Sequence, residues 1–127
     1  MHIPEQLRYT KSHEWAKRAD GEVLVGLTAH AQEELRDVVY VELPPIGKSV
    51  NAAEPIAVVE SVKAAFDIYA PVSGTVTRVN TALQKAPQLV NQDCYGDGWF
   101  VALKPSDPNE WQTLLTAAAY TALIQAE

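Results

Sequence analysis

The sequence of 127 residues contains only one cysteine, Cys94. A single thiol excludes an internal disulfide and a cysteine-based zinc cluster, because each needs more than one sulfur from the chain. Scarce cysteine is also typical of proteins in a reducing compartment. No apolar run approaches the roughly 20 residues that a membrane-spanning helix needs, so we expect no such helix.

Positive charge is also scarce. Lys and Arg total 10 against 16 Asp and Glu, which gives a formal net charge of −6. The phosphates of nucleic acids and anionic membranes would be repelled, so we expect neither as a partner and favour a protein with a basic docking face. The N-terminal segment MHIPEQLRYT has neither an apolar signal core nor an Arg- and Ser-rich amphipathic stretch. These features predict a cytoplasmic protein, or an organelle-matrix protein if this is a mature form.

The common signatures of enzymes are missing. There is no P-loop and no G-x-S-x-G motif, and the segment 96–98 (GDG) is too short for a dinucleotide fingerprint. His2, His13 and His30 lack the helical i, i+4 spacing of a metal pair, so each is expected to be an ordinary surface or boundary residue and no metal site is predicted. Catalysis by Cys94 with a distant histidine is the remaining alternative, although a lone loop cysteine is usually inert.

The overall pattern predicts one domain over 1–127, with a core over about 7–104. Its 47% apolar content excludes a disordered chain, and its length is that of one ordinary domain. Short apolar strands at close spacing predict a mainly β fold, a sandwich or flattened barrel. Parallel βαβ units would need a longer crossover between strands.

Local patterns predict particular elements. A hairpin is expected over 7–27 with its turn at Asp20-Gly21, followed by a short helix near 29–35 that Thr28 caps. The strand DVVYVEL is expected to place Val39, Val41 and Leu43 on one face. After Pro105 the period becomes helical and predicts a C-terminal helix near 107–125. Its cap would be Ser106 or Asp107, and its apolar stripe would contain Trp111, Leu114, Leu115, Ala118 and Ala122.

The segment 58–76, VVESVKAAFDIYAPVSGTV, places Lys63 at the tip of a hairpin between two apolar strands. On spacing alone, a lysine at such a tip is a solvated surface charge. A tip lysine is also accessible to a modifying enzyme, and a long arm attached there can move between separate active sites. Val62, Ala64 and Ala65 are uncharged and leave this access unobstructed.

Several motifs resemble one family. ESVKAAFDIYAPVSG is similar to the lipoylation segment of the glycine cleavage system H protein, with Lys63 at the position of the lipoyl acceptor. The other segments that resemble this family, in the family's order, are YTKSHEW at 9–15, HAQEEL at 30–35, DVVYVELP at 37–44, PQLVNQD at 87–93, YGDGW at 95–99 and LKPSDP at 103–108. The resemblance covers the chain from about residue 7 to the C-terminal helix. It implies a flattened barrel-sandwich hybrid of two antiparallel sheets, which agrees with the pattern analysis.

The resemblance also implies a function. Lipoate would be attached to Lys63 as N6-lipoyllysine, on a carrier that has no catalytic site of its own. A pyridoxal-phosphate glycine decarboxylase would load the arm with an aminomethyl group, and a tetrahydrofolate-dependent aminomethyltransferase would remove the one-carbon unit. Dihydrolipoamide dehydrogenase would reoxidise the dithiol, and lipoylating enzymes would be further partners. The cofactor would supply the redox chemistry, and the protein would supply position and shelter.

A sheltering cleft is part of this expectation. The resemblance implies that Ser12, Glu14 and Asp67 line a cleft beside the Lys63 hairpin, where they would hold the cationic amine of the loaded arm. The alternative is that they are ordinary polar residues at strand ends. His13 is expected on the opposite face if residues 12–14 form a strand.

Some positions depart from the family's pattern. Where this chain has Phe66, the family commonly has a small polar residue. The family also often has other residues at three positions, namely glycine in place of Arg36, an acidic residue in place of Ala29 and proline in place of Cys94. Some relatives have histidine at Glu34. Phe66 either offers an apolar surface to the arm's hydrocarbon chain or packs into the core.

Other functions are compatible with a tip lysine. A 2-oxoacid dehydrogenase lipoyl domain usually has aspartate at Val62, and it would lack both the SHEW segment and the terminal helix. A biotin carrier usually has methionines on both sides of the lysine. An H-like protein that passes lipoate to other lipoyl enzymes would share every motif above. A true enzyme would turn over substrate without partners.

Overall fold

A computed structural model of the chain describes residues 2–127, which form two antiparallel sheets and several short helices. The strands are β1 (Arg8–Tyr9), β2 (Glu14–Ala19), β3 (Glu22–Leu27), β4 (Val38–Glu42), β5 (Ser49–Val50), β6 (Pro55–Ser61), β7 (Ala65–Tyr69), β8 (Gly74–Val79) and β9 (Val101–Pro105). The helices are α1 (Ala29–Leu35), α2 (Ala82–Lys85), α3 (Leu89–Gln92), a 3-10 helix (Pro108–Thr113) and α4 (Ala117–Ala126). This architecture confirms the predicted mainly β fold of two antiparallel sheets.

The two sheets enclose the main core. The larger sheet has the strand order β1-β2-β3-β9-β8-β5, and the smaller has the order β4-β6-β7. Val25 and Leu103 of the larger sheet and Val59 and Ile68 of the smaller are all buried in one apolar cluster. Removing a side chain of this size from water stabilises a fold by about 1.5–3 kcal/mol, so this cluster holds the sheets face to face.

The predicted N-terminal hairpin is present, but its first arm is interrupted. Strands β2 and β3 pair from Glu14 opposite Leu27 to Ala19 opposite Glu22. A turn over residues 10–13 separates β1 from β2, with the His13 amide donating to the Thr10 carbonyl at 3.2 Å. The Thr28 hydroxyl accepts from the Ala31 amide and caps α1, as the sequence predicted.

The predicted common face of Val39, Val41 and Leu43 is right for two of the three residues. Val41 is buried and Leu43 packs against the same core, whereas Val39 is 53% exposed and Val38 is buried in its place. A β-bulge between Val38 and Tyr40 in the pairing with β6 is the reason. An extra residue at a bulge shifts the alternation of the side chains, so strict alternation counted along the sequence gives the wrong face.

The predicted C-terminal helix near 107–125 is two separate elements. Asp107 caps the 3-10 helix, as predicted, but α4 begins only at Ala117, after a cap by Thr116. Between them Leu115 exchanges two backbone hydrogen bonds with Tyr9, of 2.8 and 2.9 Å. This bridge requires an extended chain, and it therefore interrupts the helix.

The predicted apolar stripe changes with this break. Trp111 is buried, but Ala118 and Ala122 are exposed, and the buried residues of α4 are Ala117 and Tyr120. The Tyr120 ring stacks on Tyr9 with centroids 4.7 Å apart. The helix α4 therefore packs on the outside of β1 and β2, next to the turn over residues 10–13. In the part of the chain that the structure describes, no helix is long and apolar enough to cross a bilayer.

Candidate functional site

Lys63 lies in the short turn between β6 and β7, as the sequence predicted. Ser61 closes this turn with both its backbone and its side chain. Its amide donates to the Ala64 carbonyl at 2.8 Å, and its Oγ lies 3.3 Å from the amide nitrogens of both Lys63 and Ala64. A serine hydroxyl that accepts from the following amides fixes a turn that water would otherwise solvate.

The turn is open to solvent while the strands that carry it are anchored. Lys63 and Ala64 are exposed, and Val62 is 76% exposed. Behind the turn, Val59 and Ile68 are buried in the main core. The Lys63 amine is therefore accessible to an enzyme, and the Lys63 backbone is held between two strands that are each anchored in the core.

A cleft of about 220 Å³ lies beside this hairpin. Its walls come from the 10–13 turn, β3, α1, β6 and β7, and they contain Ser12, His13, Leu27, Ala31, Glu34, Leu35, Val59, Phe66, Asp67 and Tyr69. The structure thus brings Ser12 and Asp67, which are 55 positions apart in the sequence, to the same cleft. Both side chains are exposed, so their oxygens can form hydrogen bonds with a polar group that enters the cleft.

Phe66 belongs to the cleft and not to the core. Its side chain is 52% exposed, and it lies opposite Val59 in the pairing of β6 with β7. The alternative that Phe66 packs into the core is therefore wrong. The ring gives the cleft an apolar surface on the strand that follows Lys63.

Glu14 lies behind Ser12, outside the walls of this cleft. The carboxylate is 1% exposed, and it accepts from the hydroxyls of Thr10 and Ser12 and from the Tyr69 amide at 3.2 Å. Burial raises the pKa of Glu14 above its ordinary value, and the hydroxyl bonds from Ser12 and Thr10 oppose the shift. Glu14 and Ser12 line an adjacent, more open cleft, so Ser12 connects the two.

The strand on which the expected position of His13 depended does not form. Residues 10–13 form a turn, and His13 has a left-handed backbone with φ 73°. Its side chain consequently lines the same cleft as Ser12 instead of the opposite face. His13 also approaches His30 and Glu127. The sequence analysis predicted no metal site, and it missed this group because the three residues are far apart in the sequence.

Cys94 has the environment of an inert thiol. Burial raises the pKa of Cys94 to about 11, so the nucleophilic thiolate is scarce near neutral pH. The carbonyl of the same residue accepts from the Trp15 indole at 2.8 Å. These observations do not favour the enzyme alternative.

Comparison with known proteins assigns the family. The sequence matches the glycine cleavage H-protein family over residues 7–127. The chain belongs to the glycine cleavage H-protein family. It is 56% identical over 126 residues to the glycine cleavage system H protein of Shewanella loihica, covering 98% of each chain. It is 54% identical over 127 residues to that of Thermus thermophilus, covering 100% of this chain and 99% of the relative.

Structural comparison gives the same family. The crystal structure of a glycine cleavage system H protein from Mycobacterium marinum matches with a TM-score of 0.90 and 40% sequence identity, covering 97% of this chain and 99% of that chain. The match extends over the SHEW segment and α4, which a 2-oxoacid dehydrogenase lipoyl domain would lack. Membership of the H-protein family supports a lipoyl-carrier role in the glycine cleavage system.

The buried Glu14 carboxyl predicts a specific pH dependence of stability. Its pKa is higher in the folded protein than the unfolded value of 4.5, so the folded state binds this proton more tightly. Wild type should therefore lose stability as pH rises from about 4.5 through the folded pKa, and Glu14→Gln should lack this loss. The free energy of unfolding of the variant should rise relative to wild type over this interval, measured by urea denaturation between about pH 4 and pH 8. If the free energies of unfolding of wild type and Glu14→Gln changed equally with pH, the raised pKa of Glu14 would be contradicted.

Proposed function

We propose that the protein is the lipoyl-bearing shuttle of the glycine cleavage system, with lipoate attached as an amide to Lys63. The arm carries the aminomethyl group from a pyridoxal-phosphate glycine decarboxylase to a tetrahydrofolate-dependent aminomethyltransferase. Dihydrolipoamide dehydrogenase then reoxidises it. The observation that carries this proposal is an exposed Lys63 on a Ser61-closed turn in a chain of the H-protein family.

The residues around Lys63 fit such an arm. An acyl chain on the lysine amine removes its charge and adds apolar length, which favours a neighbouring apolar surface over open water. Phe66 and Asp67 lie three and four positions after Lys63. At about 3.3 Å per residue the cleft that they line begins within roughly 13 Å of the attachment point. The bound lipoate would supply a reactive sulfur and a reversible dithiol-disulfide couple.

The chain's own residues position and shelter the cargo. The Asp67 carboxylate and the Ser12 hydroxyl provide acceptors for a cationic amine in the cleft. The buried Glu14 accepts from the Ser12 hydroxyl at 2.6 Å and so acts as a positioning residue for it. The Phe66 ring lines the cleft and provides an apolar surface there, which would limit the access of water to a bound amine.

The protein itself is proposed to be non-catalytic. Its partners would be the three enzymes named above and the enzymes that attach lipoate. Its net charge of −6 favours basic docking faces on these partners. The bacterial relatives support the proposal of a cytoplasmic location.

Lipoylation should be confined to Lys63. Lys48 and Lys85 are also exposed, but Lys48 lies in a loop before β5 and Lys85 ends α2, so neither stands on a hairpin turn. Treatment with a lipoylating enzyme should add one lipoyl group to wild type, Lys48→Arg and Lys85→Arg and none to Lys63→Arg. Intact mass and peptide mapping measure this. Addition of a lipoyl group to Lys63→Arg would refute the assignment.

The cleft should slow the loss of its cargo. The lipoylated protein is loaded with the aminomethyl group, and ammonia release is timed without tetrahydrofolate. Loss of a charge-assisted hydrogen bond costs about 1.5–3 kcal/mol, so Asp67→Asn should release ammonia about tenfold faster or more. Glu14→Ala should also accelerate release, because Ser12 loses its acceptor.

Asp37→Asn provides the matched control for this experiment. Asp37 is an exposed carboxylate between α1 and β4 and is not among the residues that line the cleft. All variants should accept lipoate at the wild-type rate. Unchanged release from both Asp67→Asn and Glu14→Ala would mean that this cleft does not shelter the arm.

A further inference from the structure

Four side chains of types that can bind metals, from three different segments, meet beside the cleft. They are His13 of the 10–13 turn, His30 and Glu34 of α1, and Glu127 at the end of α4. We propose that they form a binding site for a divalent transition-metal ion of the zinc type. Neither the carrier role nor lipoylation requires this site.

The spacing of the ligand atoms fits a tetrahedral ion. His13 Nε2 lies 3.3 Å from Glu127 Oε2, and His30 Nε2 lies 3.3 Å from Glu127 Oε1. One ligand atom from each of these three residues lies within 4.8 Å of the others. Atoms bound to zinc at about 2.0–2.1 Å lie roughly 3.3–3.4 Å apart at the corners of a tetrahedron. Each imidazole therefore already lies at ligand spacing from one oxygen of Glu127, and side-chain rotations would have to bring both nitrogens and a single oxygen to the corners of one tetrahedron.

His13 is held in the orientation that a ligand needs. Its Nδ1 lies 2.7 Å from the Tyr120 hydroxyl, which lies 2.7 Å from Thr28 Oγ1. Tyr120 is fully buried, so this contact fixes the ring. With its proton on Nδ1, His13 donates to Tyr120 and directs the lone pair of Nε2 into the cluster. Such a partner on the second ring nitrogen is the usual support of a metal-bound histidine.

His30 supplies a second, independent indication. Its side chain is only 15% exposed, and carboxylate oxygens of Glu34 and Glu127 lie 3.0 and 3.3 Å from its Nε2. Despite this proximity, the buried Nε2 has no hydrogen-bond partner within the described residues 2–127. Buried nitrogen atoms normally have a polar partner, and His30 Nε2 lacks one in the part of the chain that the structure describes. A cation bound to this nitrogen and to the carboxylates of Glu34 and Glu127 would provide that partner.

The donor set determines the class of ion. Two imidazoles with one or two carboxylates suit zinc and its first-row neighbours, whereas Mg²⁺ prefers six oxygen ligands. Glu34, at 66% side-chain exposure, is free to reorient and provide a fourth ligand. Because His13 and Glu34 also line the cleft, a bound ion would fix one wall of the cleft to the end of α4.

Zinc binding by the untagged, chelator-treated full-length protein tests the proposal. Titration calorimetry with zinc chloride should show one saturable site, and magnesium chloride should produce no binding. Loss of a ligand should weaken zinc binding about tenfold or more in His30→Ala and in Glu127→Gln. The variant His13→Asn should have the same effect, and asparagine tolerates the left-handed backbone at this position.

His2→Ala is the matched control, since His2 packs against Tyr95 and is not one of the clustered residues, and its replacement should leave zinc affinity unchanged. In histidine ¹⁵N spectra of wild type, zinc should shift the Nε2 signals of His13 and His30 and leave those of His2 in place. Absence of saturable zinc binding would overturn the proposal and leave the cluster as histidine–carboxylate ion pairs. Binding of wild-type strength in His30→Ala and Glu127→Gln, or its loss in His2→Ala, would overturn it as well.

Discussion

The closure of the β6–β7 turn by Ser61 is the interaction on which the use of this fold depends. A lysine at the end of a loose loop would be accessible, but its position relative to the cleft would vary. The Ser61 backbone and hydroxyl contact Lys63 and Ala64 and keep the turn short. The arm that we propose therefore starts from a defined point, which limits the volume that it searches and raises the local concentration of its reactive end at a docked partner.

The remaining elements are arranged around this point. The smaller sheet carries the turn and provides Phe66 and Asp67 to the cleft. The larger sheet provides the opposite wall through the turn that precedes β2, with Glu14 buried behind Ser12. Helix α4 packs on the outer side of this second wall and stabilises it. Its Tyr120 stacks on Tyr9 and contacts His13. The cleft thus combines an apolar surface with acceptors for a cation, as the proposed cargo requires.

The features that local sequence determines were predictable. The alternation around Lys63 located its hairpin, and Thr28 marked the start of α1, because strand period and helix capping involve neighbouring residues. The features that depend on distant contacts were not predictable in this way. The bridge between Tyr9 and Leu115 interrupts a segment that has helical period, and the bulge at Val38 follows from pairing with β6.

Backbone conformation bears on one further difference from expectation and on one departure from the family's pattern. His13 has a left-handed φ within the 10–13 turn and lines the same cleft as Ser12, whereas the alternation of a regular strand would have separated them. Arg36 also has a positive φ of 63°, a conformation in which glycine is free of strain, which agrees with the expectation from the resemblance that glycine is common at this position. Histidine is enriched at positive φ only relative to other residue types, and arginine carries no such signal, so neither conformation was predictable from this sequence alone.

The most direct measurement of the central claim is glycine cleavage in a system reconstituted from the decarboxylase, the aminomethyltransferase, dihydrolipoamide dehydrogenase and a lipoylated carrier. Lys63→Arg keeps the charge of an exposed side chain, so its free energy of unfolding should stay within about 0.5 kcal/mol of wild type. We expect this folded variant to support no glycine cleavage, while Lys48→Arg supports the wild-type rate. Turnover with Lys63→Arg at a rate near that of wild type would contradict the carrier account.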